Sequence, residues 1–250
     1  MKHTPITPEN TVFAIDLHGV LFTFHKAKLL QLFLSITVCT TLVYCYVNPQ
    51  IALLFFFLTL MPAAGILVAS GYFMLKTGHR PIVEHHLLSS TKPPIPLIKK
   101  GWLWISNFYY PRTEFVTICW KLKQAGFSLI LLSDIGPEAF DILKKRYRST
   151  FYRNKETLFT ATYYPNSPDS TTIQLSPWLP KNAHNFFKKF AQSFIKQNAA
   201  IKKIIFIDNN KRNIKHAKKQ SSSTFLALRF TNTRQMRTTL IKHLPNLTDL

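Results

Sequence analysis

Residues 11–21 read TVFAIDLHGVL, a short apolar run that stops at a carboxylate. The β-branched and aromatic residues from Thr11 to Ile15 predict a buried strand, because such side chains favour the pleated sheet. Asp16 then lies at the carboxyl end of this strand, and Gly19 indicates a turn. We therefore expect a chemically active side chain at the edge of a sheet.

Two further apolar runs end in the same way: SLILLSD stops at Ser133 and Asp134, and KKIIFIDNN stops at Asp208, Asn209 and Asn210. The rest of the chain alternates between strand and helix patterns. Strand patterns occur at 128–132, 203–207 and 225–229, and 158–162 is a candidate for one more. Helical patterns lie between them, near 113–124, 137–147, 182–197 and 210–219. This alternation predicts an α/β fold with a doubly wound parallel sheet. Ligands of such sheets bind outside the carboxyl ends of the strands, so three polar strand ends indicate one site. Any one of these carboxylates, taken alone, also fits an ordinary turn or helix cap.

After the first strand comes a long stretch, residues 29–75, without a charged side chain. An Asn-Pro-Gln sequence at 48–50 divides it into apolar segments at 29–47 and 51–75, and each meets the length of about 17 to 25 residues that a spanning helix needs. Basic residues flank both outer ends, which places both ends in the cytoplasm. We expect a transmembrane hairpin, and a very apolar helical cap is the alternative.

The predicted organisation is an α/β domain at 1–25 and 92–250, a hairpin insertion at 26–80 and a connector at 81–111. The aromatic residues of the connector fit either an interfacial belt or packing on the flank of the sheet. Because strands precede and follow the hairpin, one sheet can form only if the number of spans is even. The polar N-terminus is not typical of a secretory signal. We therefore expect a two-span membrane protein with both termini and the α/β domain in the cytoplasm.

The composition is strongly basic, with 32 Lys and Arg against 11 Asp and Glu and a net charge of +21. Such a field favours anionic partners, here the lipid bilayer and a phosphorylated small molecule or lipid head group. Nucleic acid is disfavoured, because the basic residues are spread along the chain and no binding signature accompanies them. The three cysteines show no CxxC pattern and are interpreted as reduced packing residues.

The polar strand ends resemble, in order and spacing, the motifs of the haloacid-dehalogenase-like (HAD-like) superfamily. DLHGVL at 16–21 is similar to the first motif, LLSDIG at 131–136 to the second and FIDNNKRNI at 206–214 to the fourth. The third motif is a lysine that opens a helix some two dozen residues before the fourth, and Lys181 lies 27 residues before Asp208. Lys188 and Lys189 are the alternatives in a shifted alignment. The resemblance covers about residues 10–24 and 112–240.

The resemblance implies a Rossmannoid sheet and a magnesium-dependent phosphatase site. Asp16 would be the nucleophile that forms an aspartyl-phosphate, which water then hydrolyses. Asp16, the backbone carbonyl of His18 and Asp208 would hold Mg²⁺, a hard cation that prefers oxygen ligands. Ser133 would donate its hydroxyl to a phosphoryl oxygen, and Lys181 would place a positive charge beside the same group.

Two positions depart from the family. Active phosphatases carry a second aspartate two residues after the nucleophile as their general acid and base, whereas this chain has His18. Imidazole, with an ordinary pKa of about 6.5, can also do that work. Asn209 stands where a further acidic residue is usual, so the site has less negative charge to hold a metal.

The sequence thus predicts a membrane-anchored HAD-like hydrolase, a Mg²⁺-dependent phosphatase that acts on a phosphorylated substrate. The alternative is a catalytically degenerate HAD-like domain that serves as a binding or scaffold protein at a membrane. The hairpin occupies the place where the family inserts its substrate-selecting cap.

Overall fold

The computed structural model describes residues 5–25, 106–175, 179–220 and 224–247, together with six positions between 28 and 46. The chain divides into two compact units, residues 1–24 with 84–250 and residues 25–83. Within the described residues, no helix is both long and apolar enough to cross a membrane. The predicted spans lie outside the described residues, apart from five isolated positions, and the hairpin stays a prediction.

A parallel five-stranded sheet lies at the centre of the larger unit. The described strands are β1 (Thr11–Ile15), β2 (Phe22–Phe24), β3 (Tyr109–Pro111), β4 (Ser128–Leu132), β5 (Tyr152–Arg153), β6 (Glu156–Thr157), β7 (Ala161–Tyr163), β8 (Lys203–Asp208) and β9 (Phe225–Arg229). The order in the sheet is β7-β4-β1-β8-β9, and every neighbouring pair is parallel. The predicted α/β fold with a parallel sheet is confirmed.

Helices cover both faces of this sheet. They are α1 (Thr113–Gln124), α2 (Pro137–Arg146), α3 (Arg148–Phe151), α4 (Pro168–Thr172), α5 (Phe186–Gln197), α6 (Lys211–Gln220) and α7 (Thr233–His243), with a 3₁₀ turn at Ser106–Phe108. Phe13 and Ile15 of β1 point into a core shared with α1, α2 and α7, whereas Val12 and Ala14 point into a second core with α5 and α6. Because the sheet is buried on both faces, its strands are apolar throughout rather than alternating.

Two predicted elements differ from the structure. Helix α5 begins at Phe186, several residues later than predicted, because Asn185 adopts a left-handed φ of 65° and turns occupy the preceding residues. Lys181 therefore lies in a turn and does not open a helix. The candidate strand at 158–162 is displaced, since pairing with β4 extends from Ala161 to Tyr163.

The segment between β1 and α1 is closed by a small antiparallel pair of strands. β2 pairs with β3 in a register that sets Phe22 opposite Pro111 and Phe24 opposite Tyr109. Tyr109 to Pro111, assigned to the connector in the sequence prediction, thus form a strand beside the first motif. The chain consequently leaves this pair after residue 24 and returns to it at residue 109, and these two points are adjacent in space.

Candidate active site

Asp16 follows β1 and is buried in the middle of the sheet's carboxyl edge. Its backbone N–H donates to the carbonyl of Ile207 in β8, at 2.9 Å, so the chain continues the ladder for one residue beyond the strand. The turn that follows is closed by a hydrogen bond of 2.8 Å from the N–H of Phe22 to the carbonyl of Leu17. A pleated strand and a tight turn therefore fix the backbone on both sides of the Asp16 carboxylate.

Lys181 is the buried centre of the site, with 2 % of its surface exposed. Its Nζ lies 2.6 Å from Oδ1 of Asp16 and 2.9 Å from Oδ2 of Asp208, and it donates to the carbonyl of Leu132 at 3.2 Å. The structure thus brings three of the predicted site residues together. The alternatives considered for this role, Lys188 and Lys189, are exposed on α5.

Two carboxylates and one ammonium group are buried together in the site, and their charges and burial shift their pKa values. Burial raises the pKa of Asp16 to about 7; the charge of Lys181 opposes this shift and that of Asp208 reinforces it. Burial alone would lower the pKa of Lys181, but the charges of Asp16, Asp208 and Asp134 outweigh it and raise that pKa above its ordinary value. The ammonium group consequently stays charged.

Asp208, at the end of β8, is held by three donors. Its Oδ1 accepts a hydrogen bond from the backbone N–H of Asn210 at 2.6 Å, and its Oδ2 accepts from the side chain of Asn213 at 2.9 Å as well as from Lys181. Asn213 is buried in the first turn of α6. Sequence reasoning missed it, although it lies inside the stretch 206–214 that resembles the fourth motif, five residues after Asp208.

Ser133 and Asp134 follow β4 at the same edge. Ser133 is buried, its backbone N–H donates to the carbonyl of Tyr163 at 3.0 Å, and its Oγ accepts from the N–H of Ile135 at 3.4 Å. Asp134, to which the sequence assigned no role, accepts a hydrogen bond from the backbone N–H of Lys181 at 3.2 Å. Asp134 thus helps to hold the turn that delivers the lysine.

His18 lies in the turn after Asp16, where its imidazole ring stacks on Tyr109. The ring centroids are 4.4 Å apart and the planes differ by 28°. The carbonyl of Tyr109 accepts a hydrogen bond of 2.7 Å from the hydroxyl of Tyr147. Because Tyr109 belongs to β3, the stacking partner of the imidazole comes from beyond the insertion, and no local sequence signal identifies it.

Asn209, the departure in the fourth motif, packs against the turn of the first. Gly19 has a φ of 81°, and a Cβ added there would lie 2.2 Å from Nδ2 of Asn209. A side chain at position 19 would therefore be strained by its backbone and would also collide with the amide. The two motifs are consequently in direct contact through Asn209.

The oxygen atoms of the site suit a magnesium ion better than a softer metal. Among the described residues, no group of three or more His, Cys, Asp or Glu side chains could hold a metal ion. Two carboxylates are available, on Asp16 and Asp208, and Mg²⁺ is commonly bound by one or two carboxylates with water and phosphate in its other positions. The residues present thus fit Mg²⁺.

Three adjacent parallel strands, β4, β1 and β8, carry Ser133, Asp16 and Asp208 to one edge of the sheet, where Lys181 joins the two aspartates. This is the arrangement that the resemblance to the HAD-like motifs predicts. The order of the motifs in the sequence is therefore realised as neighbouring strand ends in space, as ligand sites of open parallel sheets require.

Several solved structures are similar to this chain in the course of the backbone. One is a HAD-family enzyme from Bacteroides thetaiotaomicron, in complex with magnesium and inorganic phosphate, at 16% identity, with 89% of this chain and 94% of that one covered and a TM-score of 0.49. Another is L-2-haloacid dehalogenase from Xanthobacter autotrophicus, at 14% identity, 94% and 83% coverage and a TM-score of 0.44. A third is β-phosphoglucomutase from Pyrococcus, at 14% identity, 94% and 99% coverage and a TM-score of 0.45. No family model and no curated protein matches the sequence.

Proposed function

We propose that this chain is a Mg²⁺-dependent HAD-like phosphohydrolase in which Asp16 is the nucleophile. The observation that carries the proposal is the buried ammonium group of Lys181, which binds both Asp16 and Asp208 at the carboxyl edge of the sheet. Burying three charged groups is costly unless they are closely paired, so such a cluster marks a functional site more often than a structural one.

In the proposed reaction a carboxylate oxygen of Asp16 attacks phosphorus and the bond from phosphorus to the leaving oxygen breaks. The electron pair of that bond leaves with the oxygen, which takes a proton from His18. Water then attacks the aspartyl-phosphate, gives its proton to His18 and frees Asp16 with release of phosphate. The described hydrogen bond of Asp16 uses Oδ1, which leaves Oδ2 for the attack.

The remaining residues would stabilise charge. Lys181 and the hydroxyl of Ser133 would bind the oxygens of the phosphoryl group as negative charge grows on them. Asp16, the carbonyl of His18 and Asp208 would hold Mg²⁺, which supplies neutralisation of the charge between phosphate and carboxylates. Asn213 and Asp134 would keep Asp208 and the backbone of Lys181 in place.

A membrane anchor is the second element of the proposal. The β2–β3 pair sets Phe24 opposite Tyr109, which is compatible with an even number of spans between these residues. In the first predicted span, the described positions Val38, Leu42 and Tyr46 are helical and expose 54%, 63% and 94% of their surface. Large apolar side chains at helical spacing favour contact with lipid over contact with water. Resistance of the full chain to carbonate extraction, lost when residues 26–80 are deleted, tests this anchor.

A panel of phosphorylated compounds, assayed with and without Mg²⁺ on the detergent-solubilised full chain, tests the reaction. Asp16→Asn keeps the shape of the side chain but removes its nucleophilic charge, and it should abolish turnover. Asp141→Asn, an exposed position on α2, is the matched control and should leave turnover unchanged. Activity that persists in Asp16→Asn rules out the mechanism.

His18→Asp separates the enzyme from the alternative, a degenerate domain that only binds at the membrane. If imidazole is the acid, it must be protonated to act, so this substitution should move the alkaline limb of the pH profile to lower pH: the pKa of the titrating group changes from about 6.5 to about 3.9 before site effects. A wild-type chain without turnover that gains some in His18→Asp indicates the degenerate domain.

A further inference from the structure

Acidic and basic residues are segregated along the chain. Between residues 170 and 247 the only acidic residue is Asp208, against fifteen lysine and arginine residues. Asp208 is buried and paired with Lys181, so it does not reach the surface. Residues 106–169, in contrast, contain six acidic and nine basic residues. The strong positive charge of the protein is therefore concentrated in the part of the domain that contains α5, α6 and α7.

Helices α5 and α6 form one neighbouring pair on a face of the sheet. The side chain of Gln220 accepts a hydrogen bond from the N–H of Phe187 at 3.0 Å and donates to the carbonyl of Ala183 at 3.3 Å. The exposed side of the pair, called the basic face here, carries Lys188, Lys189, Lys196, Lys211, Arg212, Lys215, Lys218 and Lys219. The other side of α5 is apolar, since its four phenylalanines are all buried.

The stability of the helices explains only part of this charge, since Lys196, Lys218 and Lys219 lie in the last turns, where the helix dipole favours cations. The first turn of neither helix contains an acidic residue, and Lys211 and Arg212 lie at the positive end of the α6 dipole. Lys211, Lys215 and Lys219 follow at intervals of four residues, so each repels the next. The charges at the start of α6 and the repulsions along it are therefore unfavourable in the isolated domain and become favourable beside an anionic partner.

We propose that the basic face docks on an anionic phospholipid membrane. Each well-placed lysine or arginine raises the affinity of such a face for a leaflet with negative head groups about fivefold. A nucleic acid fits less well, because no Phe, Tyr or Trp is exposed on α5 or α6 to stack with bases. This inference rests on the proposed function at a membrane, but different residues carry it.

Docking of this face has a consequence for the substrate. Helix α6 begins three residues after Asp208, and α5 begins five residues after Lys181, so both helices start at the edge of the sheet where the site lies. A bilayer held against the basic face would place anionic lipid head groups close to that edge. The substrate class that fits is thus a phosphorylated lipid head group rather than a freely diffusing metabolite.

Lysine acetylation of the full chain, quantified for each residue by mass spectrometry, tests the docking. The chain is mixed with vesicles of phosphatidylcholine alone or with added phosphatidylserine, and flotation is recorded in parallel. We expect several-fold slower acetylation of Lys188, Lys211 and Lys215 with phosphatidylserine only, reversed by high salt. Lys123 on α1 and Lys145 on α2, on the opposite face of the sheet, should not change.

The outcomes for the anchor and for the basic face are separate. A chain that does not float with phosphatidylcholine vesicles argues against the hairpin, whereas equal acetylation with both kinds of vesicle overturns the docking of the basic face. Protection by single-stranded RNA without protection by phosphatidylserine also overturns it and assigns the face to nucleic acid.

A matched pair of triple variants separates local charge from net charge. Lys211→Gln combined with Lys215→Gln and Lys219→Gln should weaken the phosphatidylserine-dependent docking, measured as the protection of Lys188 from acetylation, about a hundredfold. Lys123→Gln combined with Lys145→Gln and Arg148→Gln removes the same charge from other elements. This variant should dock with an affinity within about twofold of the wild type, because salt screens charges that lie far from the membrane. Equal losses in the two variants would show that net charge alone explains the binding to phosphatidylserine, and would overturn the proposal.

Discussion

The Nζ atom of Lys181 lies 2.6 Å from Oδ1 of Asp16, although 165 residues separate the two along the chain. Both side chains are buried, and the same ammonium group also binds Asp208. Each of these groups would be expensive to bury alone. Their pairing therefore makes the correct assembly of β1, β8 and the turn at Lys181 a condition for a stable domain.

Removal of the lysine charge should consequently destabilise the protein strongly. Lys181→Met leaves two carboxylates buried without their cation, and we expect a loss of about 3–5 kcal/mol in the free energy of unfolding. Urea denaturation of the solubilised full chain measures it. Lys189→Met, an exposed position on α5, is the control and should change stability by less than about 0.5 kcal/mol. Equal effects of the two substitutions would show that the ion pairs are not formed.

Mg²⁺ should stabilise the folded chain through Asp16 and Asp208. A ligand that binds only the folded state stabilises it by about 1.4 kcal/mol at ten times its dissociation constant. We expect an increase in melting temperature with Mg²⁺ that EDTA reverses. Asp208→Asn should abolish this increase, because it removes a carboxylate ligand, whereas Asp141→Asn should retain it. A similar increase in all three proteins would place the ion elsewhere.

A methyl group at position 19 should be poorly tolerated. Gly19→Ala introduces a strained left-handed backbone and a Cβ only 2.2 Å from the amide of Asn209. Gly126→Ala is a matched comparison, because Gly126 has a similar φ of 88° but its Cβ would lie 3.3 Å from the nearest atom, in Pro8. Both should lose about 1–3 kcal/mol from backbone strain, with a slightly larger loss at position 19, where the exposed amide of Asn209 must move aside.

The same experiment identifies the contact with Asn209. Adding Asn209→Ala to Gly19→Ala removes the colliding amide, and we expect it to recover the part of the loss that exceeds that of Gly126→Ala. Non-additive free energies of unfolding, measured in a double-mutant cycle, are the expected result. Strict additivity would contradict the packing of the two motifs.

The stacking of His18 on Tyr109 should matter for turnover. Tyr109→Leu removes the aromatic partner, which contributes about 0.5–1.5 kcal/mol in such pairs, and should lower kcat more than it changes KM. Tyr109→Phe retains the ring and should retain kcat. The hydrogen bond from Tyr147 goes to the backbone carbonyl and survives in both variants. A Tyr109→Phe variant as impaired as Tyr109→Leu would argue against a role for the stack.

Local patterns sufficed for the main elements of the domain. The prediction of α1, β4 and β9 agrees with the structure to the residue, because apolar periodicity and flanking turn residues are local properties. The predicted start of the helix beside Lys181 was wrong, because Asn185 takes a left-handed conformation. Apolar periodicity does not indicate such a conformation. Helix α7 and the short β2–β3 pair were not predicted, since short strands depend on their partners.

The sequence by itself determined which residues end the strands, and therefore that Asp16, Ser133 and Asp208 belong to one edge of a parallel sheet. Only the tertiary structure decided that Lys181, rather than Lys188 or Lys189, binds both aspartates, that Asn213 and Asp134 support them, and that Tyr109 stacks on His18. The physical reason is the separation in sequence over which each kind of interaction acts. Strand and turn preferences act between near neighbours in sequence, whereas an ion pair or a ring contact forms only between groups that the folded sheet has brought within a few ångströms.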